Sequence, residues 1–431
     1  MKTESKQKNI PGGWGEIAVG KVFSFLKSYA ISRENLINGT SNNEGIGNIH
    51  YGDIHSTYRR PSIDLKEVSV PLVKDKEFTP KSEDFLRNGD LIMADVSEDY
   101  AGVGVTVSVH GLDGKRVVGG LHTFVLRDTR NKTIERYRQY IFRNPNIRNK
   151  LQKIANGVSV YGISKTNLSN LFLILPPIPE QKRIVAVLEV WDLYLEKLAR
   201  KIEIKKNIKK GLMQQLLTGK KRLKGFTGLW KSTTLKKVGH FFKGEGISKA
   251  ELVENGFKAV RYGELYTRHH IKIKKIFSFI TKKTAENAVN LKKGDIAFAG
   301  SGETIDEIGK SAVYLDNDDC YVGGDVIVLR VNTENDAMFL AFYLNSLVAR
   351  KELRKMGQGQ SVVHIYKKDL EKLTLNAPAL KEQTAIANIL TKADDEIECL
   401  EQKKKFMEAQ KKFLLNNLVT GKIRTPEGMK V

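Results

Sequence analysis

The sequence predicts an α/β protein made of two mixed domains in tandem, each followed by one long helix. Three observations carry this: the chain repeats itself at about half its length, each repeat ends in a long run of helical periodicity, and short β-like runs broken by glycine turns precede each run. The segment from Ala155 to Lys220 aligns without a gap on Gly357 to Lys422. Ser159, Leu168, Glu180, Gln181, Ile184, Leu188, Asp192, Thr218, Gly219 and Lys220 reappear as Ser361, Leu370, Glu382, Gln383, Ile386, Leu390, Asp394, Thr420, Gly421 and Lys422, at one constant offset (361 − 159 = 202). A repeat this long points to two whole modules rather than to solenoid turns.

Upstream the echo is weaker. Tyr51-Gly52-Asp53-Ile54 answers Tyr262-Gly263-Glu264-Leu265, Gly89-Asp90 answers Gly294-Asp295, and Val125-Leu126-Arg127 answers Val328-Leu329-Arg330, while Trp14 and Trp230 open the two halves. The drifting offset puts insertions between framework pieces, where surface loops tolerate them. Strand-like runs lie at Gly104 to Val109, Leu121 to Leu126, Asp295 to Phe298 and Val326 to Val331, and shorter helical patterns at Ile134 to Phe142 and Ala337 to Lys355.

The long helices have the clearest signal. Ile184, Leu188, Trp191, Leu195, Leu198 and Ile202 alternate spacings of four and three, which defines a coiled-coil seam that passes Lys205 and Lys209 before resuming at Leu212 and Leu216. The second copy reads Ile386, Leu390, Ala393, Ile397, Leu400, Lys404, Met407, Lys411, Leu414 and Leu418. Pro176, Pro177 and Pro179 precede the first helix and Pro378 the second, and Gly219 and Gly421 stand where a glycine cap ends each. The expected boundaries are a first domain over 1–175, a helix over 176–222, a second domain over 223–376, a helix over 377–424 and a tail over 425–431. About 40 residues at 1.5 Å make each helix roughly 60 Å long. Paired through their seams, the helices are expected to run antiparallel and to form a coiled coil. The chain end then returns near Trp14, with pseudo-twofold symmetry.

Composition narrows the function. The 431 residues carry 72 Lys plus Arg against 49 Asp plus Glu, a formal charge of +23, and the pI is near 9.6. Such a surplus favours a polyanionic partner, with nucleic acid first. The segment Met1 to Asn9 is polar, and no apolar run approaches the ~20 residues of a membrane span, so a cytoplasmic protein without a membrane partner is expected. Two cysteines, Cys320 and Cys399, make neither a disulfide framework nor a cysteine zinc site.

Leu175-Pro176-Pro177-Ile178-Pro179-Glu180-Gln181 leading into a helix, Leu217-Thr218-Gly219-Lys220 closing it, Tyr51-Gly52-Asp53-Ile54, and Gly359-Gln360-Ser361-Val362-Val363-His364-Ile365 together resemble the specificity subunit of type I restriction-modification systems. The resemblance spans nearly the whole chain. At the second helix start, Asn376-Ala377-Pro378-Ala379-Leu380-Lys381-Glu382-Gln383 departs from the family's double proline. The resemblance implies two target-recognition domains joined by spacer helices, no catalysis in this chain, and an asymmetric bipartite target on double-stranded DNA. It also implies two adenine methyltransferase subunits as partners and, in some systems, two restriction/translocase subunits. S-adenosylmethionine, ATP and Mg are then expected on those partners, with no cofactor in this chain.

The remaining motifs agree with a non-enzyme. No Asn-Pro-Pro-Tyr or Asp-Pro-Pro-Tyr run is present; Asn144-Pro145-Asn146-Ile147 lacks the second proline and the aromatic. Gly302 and Gly309-Lys310-Ser311 are spaced too widely for a phosphate loop, and Glu303, Asp306 and Glu307 would repel phosphate. His269-His270 lacks further ligands at metal spacing.

For DNA contact, side chains must reach phosphates or base edges. The candidates are His55, Thr57, Tyr58, Arg59 and Arg60, with Lys115 and Arg116, in the first domain, and Tyr266, Thr267, Arg268, His269 and His270, with Gln358 and Gln360, in the second. Lys205, Lys206, Lys209, Lys210, Lys220, Lys221 and Arg222 either reach the spacer duplex or form the wet face of a helix. Ile204, Ile208, Phe406 and Phe413 lie beside the seam, where they dock methyltransferase helices or add to coiled-coil packing. The competing reading is a coiled-coil adaptor with two protein-binding domains, whose charge serves only solubility.

Overall fold

The computed structural model describes residues 10–39, 45–58 and 60–431. The chain divides into two compact units, Met1–Lys197 with Lys404–Val431, and Leu198–Lys403. Each unit therefore holds one α/β head together with half of each long helix.

In the first unit a five-stranded sheet runs in the order Phe23–Leu26, Thr123–Asp128, Leu91–Ala94, Thr106–His110, Ser62–Asp64. Its pairings are antiparallel except the last, which is parallel. A second sheet orders Arg116–Gly119, Ile46–Ile49, Leu72–Val73 and Leu36–Ile37. The second unit repeats the plan. Its five-stranded sheet orders Gly239–Lys243, Val326–Val331, Asp295–Ala299, Ser311–Tyr314 and Ile271–Ile273, again with only the last pair parallel. In each head a two-stranded ribbon joins the first strand to the last, Gly15–Ala18 with Phe172–Leu175 and Lys231–Thr234 with Thr374–Ala377, so the head closes just before its helix begins.

The repeated framework residues are structural. Gly89-Asp90 and Val125-Leu126-Arg127 become an ion pair at the centre of the first sheet, Arg127 Nη2 to Asp90 Oδ2 at 2.6 Å, with Asp90 1% exposed. Their counterparts make the same pair in the second sheet, Arg330 Nη2 to Asp295 Oδ2 at 2.8 Å.

The helix expected over 176–222 is Ile178–Leu216, and the one expected over 377–424 is Leu380–Thr420. Every seam position named from the sequence, in both copies, is buried or half-buried, because the 3.5-residue period holds those side chains against the facing helix. Within each unit the two helices run antiparallel. In the first, Glu180 meets Arg424 and Asp192 meets Lys411; in the second, Lys205 meets Glu396 and Arg222 meets Glu382. The repeated Asp192/Asp394 and Lys209/Lys411 are cross-paired, Lys209 with Asp394 and Lys411 with Asp192. A seam lysine that looks like an interruption is thus one half of an interhelical ion pair in both units.

Each helix ends as its glycine predicts. Gly219 and Gly421 take left-handed backbones, φ +70° and +71°, and the Lys221 and Ile423 amides donate back to the Gln215 and Asn417 carbonyls at 3.2 Å. At Gly421 a β-carbon would also stand 2.4 Å from Pro11 Cγ, so the cap packs against the chain's start.

The helical segment expected over Ala337 to Lys355 is two helices, Ala337–Leu344 and Leu347–Lys355. Asn345 turns its amide to the Ser311 carbonyl at 2.8 Å, and Ser346 caps the second helix through Ala349 N, so local side-chain bonds end the first helix there.

Candidate nucleic-acid interface

The Glu-Gln pairs at the helix starts were the most specific repeated signal, and their side chains fasten the head to the helix. Gln181 Oε1 accepts from Ile134 N at 2.9 Å and its Nε2 donates to the Lys132 and Pro176 carbonyls; Gln383 does the same with Asp336 N, Asn335 Oδ1 and Pro378 O. Glu180 accepts from Trp14 Nε1 at 2.9 Å and from Arg424 at 2.6 and 2.7 Å, while Glu382 accepts twice from Arg222 at 2.7 Å. Burial opposes ionisation of Glu180, but the bonds from Arg424 and Trp14 outweigh it and hold the carboxyl below its ordinary range. These side chains are engaged in the joint between head and helix.

In the first head the helix Tyr51–Ser56 presents the expected DNA loop. Asp53 is buried and receives both bonds of Arg33 Nη1, at 2.8 and 2.7 Å, which anchors the helix. His55 and Thr57 are exposed, with His55 Nε2 3.0 Å from the Val96 carbonyl, and Arg60 is exposed on the turn into strand Ser62–Asp64. Tyr58 differs from the expectation. It is 8% exposed inside the core with Ile54, Ile63 and Val109, because the turn that exposes Thr57 rotates the next side chain inward. Arg59 lies outside the described residues. Lys115 and Arg116 are exposed beside the same edge, Lys115 Nζ donating to the Leu65 carbonyl just past that strand. The sequence did not single out His50 and His122, whose rings stand 4.7 and 5.4 Å from the Tyr51 ring.

In the second head the matching helix is Tyr262–Thr267. Tyr266 is half-buried, Thr267 is exposed with its hydroxyl on the Gly263 carbonyl at 2.7 Å, and Arg268 and His270 are exposed. His269, by contrast, is 7% exposed and sits 5.9 Å from the Phe277 ring, so it is an interior residue. Arg268 and Lys275 flank the same ring at 5.1 and 5.5 Å. The segment lines a cavity of about 790 Å³ together with helix residues Lys209 and Lys210. Of the helix cations named from the sequence, Lys205, Lys206, Lys209 and Arg222 are paired with Glu396, Glu401, Asp394 and Glu382. They therefore belong to the helix pair rather than to an open contact face.

Gln358 and Gln360 are exposed on a loop that Gly359 bends at φ +115°, where a β-carbon would meet the Val362 carbonyl at 2.2 Å. The first head has the same loop, bent at Gly157 with φ +136°, and exposes Asn156, Val158 and Ser159. Those first-head residues were missed, although the 202-residue offset places them opposite Gln358, Gln360 and Ser361.

Burial holds the His269 imidazole below its ordinary 6.5. The unfolded chain takes that proton first on acidification, so the neutral ring's stability contribution is complete above 6.5 and declines as the pH falls below it. The thermal midpoint of the second unit is expected to drop as the pH falls below 6.5. His269→Gln should flatten that drop in melts followed across the range.

Phe406 and Phe413 are 60% and 65% exposed, and Ile204 and Ile208 are 50% and 51% exposed. Extra packing within the coiled coil does not account for them. No helix among the described residues is long and apolar enough to cross a membrane.

Comparison with known proteins agrees with this arrangement. The family model for the type I restriction modification DNA specificity domain matches residues 11–206 and again 228–409. The chain is 27% identical over 367 residues to a Methanocaldococcus jannaschii protein assigned as the MjaX type I restriction enzyme specificity subunit, covering 78% of this chain and 79% of that one. Among solved structures, the HsdS subunit of Thermoanaerobacter tengcongensis shares the fold at TM-score 0.51 and 18% identity, covering 97% of this chain and 99% of that one. A chain from a type I R-M system does so at 0.61 and 19%, covering 96% and 100%. With the family model matched in both repeats, the chain belongs to the type I restriction-modification DNA specificity family and is a specificity subunit, the non-catalytic component that confers DNA recognition.

Proposed function

We propose that each head reads one half-site of an asymmetric bipartite DNA target, and that the exposed helix faces recruit the other subunits. The observation that carries this is the duplication itself: one framework of sheet, ion pair and helix clamp occurs in both units, while the exposed loops differ in residue type. An invariant scaffold with variable loops is what two independent readers require. His55, Thr57, Arg60, Lys115 and Arg116, with the Asn156–Ser159 loop, form the first reading surface. Tyr266, Thr267, Arg268, His270, Gln358 and Gln360 form the second. Phe406 and Phe413 in one unit, and Ile204 and Ile208 in the other, suit apolar faces of two adenine methyltransferase subunits. Restriction/translocase subunits join through that assembly, S-adenosylmethionine, ATP and Mg reside on the partners, and the complex works in the cytoplasm.

Arg60→Ala with Arg116→Ala is the test, scored by binding to a library randomised in each half-site. The expected outcome is relaxed base preference at one half-site, by about 1–3 kcal/mol per lost base contact, with the other half-site unchanged. An equal loss in both half-sites would refute one head per half-site, and salt-insensitive binding would favour the adaptor reading instead.

A further inference from the structure

Each unit has a cavity where its head meets its helix pair, and the two cavities occupy equivalent places. In the first unit it is about 600 Å³ and is lined by Arg143, Arg148, Thr106, Leu195, Lys412 and Asn416. In the second, Lys210 stands where Lys412 stands (412 − 210 = 202), Gln214 where Asn416 stands, and Ile397 where Leu195 stands.

The first cavity is over-supplied with positive charge. Lys411 is paired with Asp192, and Glu408 is paired with Lys404 at 2.9 Å. Arg143, Arg148 and Lys412 have no carboxylate partner among the described residues. Arg148 gives one bond to the Ala101 carbonyl at 2.5 Å, but its Nη1 and the Arg143 Nε are buried without any acceptor. Buried guanidinium donors left in this state cost stability unless an acceptor arrives. Burial lowers the pKa of both arginines and Arg143 lowers that of Arg148 further, against opposing pulls from Tyr140 and Asp192 on Arg143 and from Asp99 on Arg148.

The repeat supplies an internal control. Arg143 corresponds to Asn345 and Arg148 to Arg350 in the second copy, and there every such group is satisfied. Asn345 Nδ2 donates to Ser311 O and Ala341 O, and Arg350 donates to Ile308 O at 2.8 Å and Asp306 O at 2.9 Å. The unmatched cations of the second cavity come from a different segment, as Arg268 and Lys275, together with the equivalent Lys210. Each cavity thus keeps three cations without a carboxylate partner among the described residues, one at the repeated Lys210/Lys412 position and two from segments that differ between the units, which points to a shared ligand.

We infer that the head–helix cavity of each unit is a phosphate-type oxyanion site, formed by Arg143, Arg148 and Lys412 in the first unit and by Lys210, Arg268 and Lys275 in the second. The carboxylates that line the cavities, Glu408 in the first and Asp394, Glu398 and Glu401 in the second, are paired with Lys404, Lys209, Lys274 and Lys206, and the guanidinium and ammonium donors left over suit a tetrahedral oxyanion. The occupant is a backbone phosphate of the bound duplex or a free phosphate ion. A backbone phosphate would set the head's register on DNA and carry no base information. That assignment rests on the DNA reading above.

The test uses the full chain, with Arg143→Gln and Lys412→Gln singly and together, and Arg143→Lys as the charge-retaining control. One arm measures binding to specific and random duplex across salt. The expected result is a log–log salt slope shallower by about 0.9 per lost contact, with equal weakening on both duplexes, in the glutamine variants but not in Arg143→Lys. The second arm titrates inorganic phosphate against the thermal midpoint without DNA. A phosphate shift present in the parent and lost in the glutamine variants, with the salt slope unchanged, identifies a free ion as occupant. An unchanged slope together with an unchanged phosphate response overturns the inference. Because the phosphate arm uses no DNA, failure of half-site reading is distinguishable from failure of the oxyanion site.

Discussion

Arg127→Ala is expected to destabilise the first unit by about 3–5 kcal/mol and to leave the second intact. The Arg127 guanidinium gives Asp90 bonds of 2.6 to 3.2 Å and also donates to the Glu83 and Phe85 carbonyls at 3.1 and 2.6 Å. Removing it strands a carboxylate in the middle of the sheet and leaves two carbonyls without their donor. That is the expensive way to break a buried pair, whereas replacing both partners by apolar groups of similar volume costs far less. Arg127→Met with Asp90→Leu should therefore recover much of the loss. Arg330→Ala in the second unit should cost less, because its guanidinium is about one-third exposed and water can reach the remaining carboxylate. Urea denaturation with hydrogen exchange resolved by unit separates these outcomes; a uniform loss over both units would contradict two independently built heads.

The second large effect is expected from Arg424→Ala. Its side chain is 42% exposed, but Glu180 beneath it is buried, so the loss should be about 2–3 kcal/mol, below that of a fully buried pair. The cation also stands 5.8 Å over the Trp14 ring, which ties the chain end to the chain start. Burial alone would raise the Glu180 pKa, so the variant should titrate higher than the parent. In the parent the folded value is depressed below 4.5, so the contribution is complete above 4.5 and is lost as the pH falls through the folded value. Acid unfolding of the first unit should therefore begin at a higher pH in Arg424→Ala. Circular dichroism across pH 3–6 tests this, and coincident curves would show that Glu180 has another counter-charge.

The helices were readable in the sequence because a 3.5-residue period is a local pattern, and every seam residue it named is covered. The glycine caps were readable for the same reason. The role of the Glu-Gln pairs was not, since Glu180 meets its partner 244 positions away and Glu382 meets Arg222 160 positions away. Tyr58 and His269 show the limit on loops: composition assigned whole turns to a contact surface, but the turn geometry alternates side chains between solvent and core. Arg143 and Arg148 carried no signal at all. An arginine's missing counter-charge is visible only after the fold has distributed the carboxylates.

The division of the chain has a consequence for biosynthesis. All residues of the second unit, 198–403, are synthesised before residues 404–431 of the first unit exist. The head made first thus waits longest for completion, with Trp14 and Glu180 lacking Arg424 until the second unit has been made. A premature stop just before Thr420 would release a nascent product whose later-made head is finished and whose earlier-made head is still open.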